Sequence, residues 1–466
     1  MSMESGENKD EVKILVDRFE QMLRKNEKYF FEADELEQII DFYIDTNDSK
    51  KAFEVIEFGL NQYTFSVVFL LRKAQLLAAS NQTQKALEVL SKAEVLEPSS
   101  SELFMTKASV YSHMGLSEQA IENYKKAAEI GEDLDEVYLS MAFEFEHSGK
   151  LNDAIYYLKK AISVQPNNEA AIYELAFCYE LTDQLEESSK YFLKFIDKHP
   201  YSESAWFNLG IAFNKLGMFE KAIEAYDYAI AIRESFASAY FNKANSLANL
   251  EQFDEAIEVY KETFKHEEPE ATTYYYVGEC HEKKEELDQA LNYYHKAVKL
   301  DATLADAWMG IGIVLDMQHR LMEGVHYIKK ALDLEPENSE YWFVFGEVQE
   351  KLGFLEEAEG AYKKVIALDP DNTDVWLSYS NLLFEQEDKN GALELLAEGI
   401  KHHPDNAELQ YRIAGCLMQI GQKQEGLGFL QTALQLNYEK HNELFEYMPQ
   451  LKENSSIVDL IESYKK

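Results

Sequence analysis

Apolar residues along this chain keep two spacings inside one longer period. Between residues 33 and 440 they recur three and four positions apart, the signature of one helical face, break at a short polar stretch, and then recur again. The pair returns every 34 residues, which divides the span without insertion into 33–66, 67–100, 101–134, 135–168, 169–202, 203–236, 237–270, 271–304, 305–338, 339–372, 373–406 and 407–440. Counting 1 to 34 within a block, positions 4, 7, 8 and 11 mark a first helix and positions 20, 24 and 27 a second. Position 20 is small throughout, as in Ala52, Ala154, Ser188, Ala222 and Gly426, and position 8 is small everywhere except Ile40. Position 24 is large, as in Tyr124, Phe192, Tyr226, Tyr260, Tyr294 and Tyr362. The four tryptophans, Trp206, Trp308, Trp342 and Trp376, are 102, 34 and 34 residues apart, and six of the eight prolines share position 32. Glycines 115, 149, 217, 353 and 421 share position 15, where a left-handed residue can end the first helix. Proline at position 32 ends the second.

One helical hairpin cannot bury its own apolar face, so the blocks are expected to stack, small residues at 8 and 20 admitting the large ones at 4 and 24. Residues 1–32 carry a leading helix, with Val12, Ile14, Leu15, Phe19, Met22 and Leu23 as its apolar residues. Residues 441–466 carry a closing helix near 455–465, with Ile457, Leu460, Ile461 and Tyr464 on one face.

Composition narrows the function. At 46% hydrophobic and 13% aromatic residues the chain is not disordered. Lys and Arg number 45 against 85 Asp and Glu, a net charge of −40, which disfavours nucleic acid and anionic membrane as partners and favours cationic ones. The same charge opposes self-association, so a monomer is expected. The start, MSMESGENKDE, has no basic or apolar run of a signal peptide, and no run is long enough to span a bilayer. With only Cys178, Cys280 and Cys416, a reducing cytoplasm is expected.

The pattern Trp206, Leu209, Gly210, Phe213, then Ala222, Tyr226 and Ala229 resembles the tetratricopeptide repeat, and the resemblance, of the multi-repeat soluble kind found in bacteria, covers residues 33–440. The first block departs at Ile40 and Thr64, the last at Gln410 and Tyr438, as terminal repeats often do. The resemblance implies an all-α, right-handed superhelical solenoid and a role in protein binding, with no catalysis and no cofactor of its own. It also implies that positions 2, 5, 9 and 12, which lie opposite the buried stripe of the first helix, line the concave side. Position 5 is apolar in all but the first block, where Glu37 stands. The expected peptide-binding lane comprises Phe143, Tyr173, Phe177, Glu180, Phe207, Asn208, Ile211, Asn214, Phe241, Asn242, Asn245, Tyr275 and Glu282. Such a lane suits a protein or peptide with apolar and basic residues, the asparagines pairing with its backbone. Because the core lies on the other face, Phe207→Ala and Phe241→Ala are expected to leave the fold intact. A scaffold or adaptor is the leading reading, and a regulatory subunit of an enzyme complex the alternative.

Other chemistry finds little support. The cysteines share position 10, three and four repeats apart, which excludes a shared disulfide or metal and suits small core residues. His113 and His147 share position 13 of adjacent repeats, but two ligands without a third make a weak metal site. No phosphate-cradling loop, nucleophile elbow or HExxH is present.

Overall fold

A computed structural model describes residues 4–25 and 27–465, and every regular element among them is helical. The chain falls into two compact units, Met1–Glu234 and Ser235–Lys466. Each is a row of helical hairpins. First helices begin at Ala33, Val67, Ser101, Leu134, Glu169 and Glu203 in unit 1, and at Ala237, Ala271, Ala305, Ser339, Thr373 and Ala407 in unit 2.

Every hairpin turns through a left-handed residue at position 15, with φ between 53° and 90°. The turn also uses two hydrogen bonds. In repeat 203–236 the Gly217 N–H donates to the Asn214 carbonyl and the Met218 N–H to that of Phe213, both at 2.9 Å, so the last carbonyls of the first helix are satisfied. Only five of the twelve residues are glycine. In unit 1 the others are Asn47, Asn81 and Asp183, types that tolerate this conformation; in unit 2 they are Glu251, Glu285, His319 and Glu387.

The tryptophan spacing now has a physical reason. Trp206 Nε1 donates to the Pro200 carbonyl at 2.9 Å, Trp342 to that of Pro336 at 2.9 Å, and Trp376 to that of Pro370 at 3.0 Å. Position 4 thus ties down the turn that ends the preceding repeat, six residues back. Gln410, where the last repeat departs from the pattern, makes the same bond to Pro404 at 3.4 Å. Small residues at position 8 are required by the ring at position 24. A Cβ on Gly278, at position 8, would come within 2.7 Å of the Tyr294 ring, and one on Gly310, at position 6 of the next repeat, would do the same, so the ring has no room on either side. Overpacking of this kind costs about 1–3 kcal/mol.

The first helices of successive repeats also touch one another directly. In unit 1, Glu169–Leu181 packs on Glu203–Lys215; in unit 2, Ala271–Lys283, Ala305–Met317, Ser339–Lys351 and Thr373–Glu385 do so in sequence. In unit 2 these four helices therefore form a continuous face. The leading helix, Glu4–Lys25, buries Val16, Phe19 and Met22 against Leu36, Ile39 and Phe31, whereas Ile14 and Leu23 stay exposed. At the other end Ser455–Ser463 buries Ile457 and Ile461 against Leu430, Leu434 and Leu444. It is preceded by a helix at His441–Tyr447 and a 3-10 turn at Pro449–Glu453, neither expected from the sequence. No described helix is long and apolar enough to cross a membrane.

Candidate protein-binding face

The thirteen lane residues all lie on first helices and divide between the units. Phe143, Tyr173, Phe177, Glu180, Phe207, Asn208, Ile211 and Asn214 belong to unit 1; Phe241, Asn242, Asn245, Tyr275 and Glu282 belong to unit 2.

In unit 1 five of them meet. A concavity of about 190 Å³ between helices Glu169–Leu181 and Glu203–Lys215 is lined by Tyr173, Phe177, Glu180, Asn208 and Ile211. Leu185 and Ser188 from the intervening second helix contribute to its wall. Phe177 is 46% exposed beside it, a large apolar side chain left to water. Glu180 at its edge is ion-paired with Lys215. Asn214, on Glu203–Lys215, and Phe143, one first helix earlier on Leu134–His147, are half-buried and do not line this concavity.

Burial corrects part of the expectation. Phe207 is only 7% exposed, its ring 5.9 Å from Tyr226 and 6.2 Å from Tyr173, so it belongs to the packing between repeats. Truncating it is therefore not neutral to the fold. Asn208 is 3% exposed, and its amide nitrogen donates to the Ser204 carbonyl at 2.8 Å. Asn242 does likewise to Ser238 at 2.8 Å, and the Asn245 amide oxygen accepts the Tyr260 hydroxyl. A mid-helix asparagine folds back on the carbonyl four residues earlier, here over a small serine, so these amides are committed within the protein.

In unit 2 the lane is aromatic and acidic. Phe241 packs edge-on to Tyr260 at 5.6 Å and to Tyr276 at 5.5 Å, and Tyr275 lies 5.7 Å from Tyr294. Glu282 accepts the Tyr294 hydroxyl at 2.6 Å, and one repeat pair later Glu350 accepts that of Tyr362 at 2.6 Å. Burial raises both carboxyls above the ordinary range, and the tyrosine bonds pull them partly back. Sequence reasoning passed over Glu279 and Glu347, both at position 9. Burial raises each, Glu282 and Asp306 pushing Glu279 further, and Asp316, Glu350 and Asp374 doing so for Glu347. The signal was present in the column at position 9: Phe143, Phe177 and Ile211 in unit 1, then Asn245, Glu279, Ile313 and Glu347 in unit 2.

One further cluster joins two first helices of unit 1. A carboxylate oxygen each from Glu146 and Glu174 and the sulfur of Cys178 lie within 4.8 Å of one another. Burial, then the hydrogen bond and charge of Glu146, hold Glu174 well above the usual carboxylate range. Burial pushes the Cys178 thiol up to about 12, so it stays protonated and is a poor metal ligand at neutral pH. His113 and His147 each place Nδ1 on a carbonyl of their own helix, Ser109 at 2.9 Å and Phe143 at 2.7 Å.

Comparison with known proteins agrees with the hairpin geometry. Tetratricopeptide-repeat models match residues 101–133, 147–209, 204–236 and 241–305, and the model for the cytochrome c-type biogenesis protein H TPR domain matches 317–444. A search of curated proteins returned no match. Among solved structures, the anaphase-promoting complex hetero-tetramer Cut9–Hcn1 is 14% identical, covering 89% of this chain and 95% of that one with a TM-score of 0.44. Yeast Tom70 is 16% identical, covering 92% and 95% with a TM-score of 0.45. YrrB, described as a TPR protein with an unusual peptide-binding site, is 21% identical, covering 40% and 96% with a TM-score of 0.33. With family models matching from residue 101 to residue 444 and a left-handed hairpin turn in every repeat, the chain belongs to the tetratricopeptide-repeat proteins.

Proposed function

We propose that this protein is a scaffold that holds a protein or peptide partner against its first-helix face, with an apolar side chain of the partner anchored in the unit 1 concavity. The observation that carries the reading is the meeting of Tyr173, Phe177, Glu180, Asn208 and Ile211 around a space of about 190 Å³, the size of one large side chain. Its floor is held by neighbours on both sides, so little ordering entropy is lost on binding. Phe177 supplies an exposed apolar wall, and Glu180, already paired with Lys215, can exchange that partner for a basic group of the ligand. Three free, buried cysteines suit a reducing compartment, and the charge of −40 suits a monomer with cationic partners.

The test is capture of partners from the native lysate by the wild-type protein and by Phe177→Ala/Ile211→Ala. Losing one buried anchor contact costs about 2 kcal/mol or more, roughly thirtyfold in affinity. A partner enriched by the wild type and lost from the variant, with helicity unchanged, supports the reading. Equal retention by both moves the binding face elsewhere.

A further inference from the structure

Position 9 of the first helices carries glutamate twice in unit 2, where the last three repeats of unit 1 have Phe143, Phe177 and Ile211. Glu279 and Glu347 occupy it two repeats apart, with half-buried Ile313 between them. Each is surrounded by excess negative charge. Lys283 faces Glu279, but so do Glu282 and Asp306; Lys351 faces Glu347, but so do Asp316, Glu350 and Asp374. Lys351 is itself taken up by Asp316 at 2.5 Å, and Asp306 by the Tyr341 hydroxyl at 2.5 Å. Across the four helices Ala271–Lys283, Ala305–Met317, Ser339–Lys351 and Thr373–Glu385 there are nine carboxylates and two lysines. Half-buried Tyr275, Ile313 and Phe343 run through the same face, so the carboxylates stand over an apolar floor.

Building on the scaffold reading, we infer that unit 2 receives an extended cationic segment whose two basic clusters sit at Glu279 and Glu347 and whose intervening apolar residue sits on Ile313. The spacing follows from the helices. First helices in contact lie about 10 Å apart, so two repeats separate the carboxylates by roughly 20 Å, and an extended chain at ~3.3 Å per residue covers that in about six residues. Burial and repulsion by neighbouring carboxylates hold Glu279 and Glu347 above the ordinary carboxylate range, a cost that an incoming ammonium or guanidinium relieves at both sites. Surface acids on the second helices lack this arrangement: Glu356 and Glu357 are exposed to water, where a single contact is screened and weak.

The probe is a synthetic peptide carrying two lysine pairs about six residues apart with one leucine midway, compared with a peptide of the same composition whose lysines are contiguous. Binding to the full-length protein is measured by fluorescence anisotropy at physiological salt. The spaced peptide is expected to bind roughly tenfold more tightly than the contiguous one. Glu279→Gln/Glu347→Gln is expected to abolish that advantage, and Glu356→Gln/Glu357→Gln, an equal change of charge, to preserve it. Equal affinities for the two peptides on the wild type overturn the inference, whatever happens to the fold of the variants. So does equal loss in both double variants, the mark of undirected attraction by net charge. Phe177→Ala/Ile211→Ala should bind the spaced peptide as the wild type does. If the peptides fail while that variant still loses its captured partner, only the cationic assignment of unit 2 falls; if the capture is unaffected while the spaced peptide keeps its advantage, the unit 1 anchor falls instead.

Discussion

Units 1 and 2 use one hairpin design and finish it differently at the same three positions. At position 15 the left-handed residues of unit 1 are asparagine, glycine and aspartate, whereas unit 2 uses glycine only twice, glutamate three times and histidine once. At position 24 Tyr226 of unit 1 is fully buried with its hydroxyl unpartnered among the described residues, whereas Tyr260, Tyr294 and Tyr362 of unit 2 donate to side chains at position 9 or 12. At position 9 the last three repeats of unit 1 carry Phe143, Phe177 and Ile211, whereas unit 2 carries glutamate twice, at 279 and 347. The difference teaches that period and packing fix the hairpin, while polar pairing inside it is free to vary from repeat to repeat.

The largest expected effect separates packing from binding within unit 1. Phe207→Ala should lower the free energy of unfolding by about 3 kcal/mol, in the range for a buried phenylalanine, while the half-exposed Phe177→Ala should cost less than about 1 kcal/mol. Urea unfolding followed by circular dichroism measures both, and similar values would erase the distinction between them.

The tyrosines should respond in opposite senses. Tyr294→Phe strands the half-buried Glu282 carboxyl and should cost about 1–2 kcal/mol. Tyr226→Phe removes a hydroxyl without a protein partner and should be neutral or slightly stabilising. Equal destabilisation by the two would mean that the position 24 hydroxyl is paired in both units.

The turn residues predict a gain in one unit and a loss in the other. Glu285→Gly, at φ 59°, should stabilise unit 2 by about 1 kcal/mol, and Gly149→Ala, at φ 71°, should destabilise unit 1 by a similar amount. Thermal melts of the two variants check this, and the same sign in both would contradict the backbone account.

The smallest effect is in pH. Glu174 is raised to about 7 in the folded protein, so the folded state holds a proton that the unfolded chain releases. Its contribution is fully present below the ordinary carboxylate range and is lost as pH rises toward 7. Glu174→Gln should remove up to about 1 kcal/mol of that slope, after allowing for partial exposure and solvent screening. Unfolding midpoints of wild type and variant between pH 5 and 8 would show it; parallel curves would mean that Glu146 and Glu174 do not share a proton.

Much of the fold could be read from the columns because each column is a packing rule. Tryptophan recurs at 4 because its indole N–H donates to the carbonyl at position 32 of the preceding repeat, that of proline for Trp206, Trp342 and Trp376 and that of Ala302 for Trp308. The left-handed turn was legible at five glycines, but not at Glu251, Glu285 or Glu387, whose chemistry gives no hint of that conformation; only their register does. The short helix His441–Tyr447 follows the last period and was missed for that reason. The face of the candidate site was legible, since helical phase places positions 5, 9 and 12 together. Depth was not. Phe207 is buried by the particular ring of Tyr226, and Asn208 is drawn inward by the particular carbonyl of Ser204, pairwise relations that a column does not contain.

The three buried cysteines at position 10 give the molecule its own set of clocks. Cys178 reports on unit 1, Cys280 and Cys416 on unit 2, and none is accessible to a reagent while its repeat is closed. The Cys178 and Cys280 thiols are also pushed up to about 12, so modification must await local opening. Their labelling rates are then opening rates, read at three addresses without adding a probe. A row of hairpins held by nearest-neighbour contacts can fray from an end or part in the middle, and the order in which the three thiols react distinguishes these two ways of coming undone.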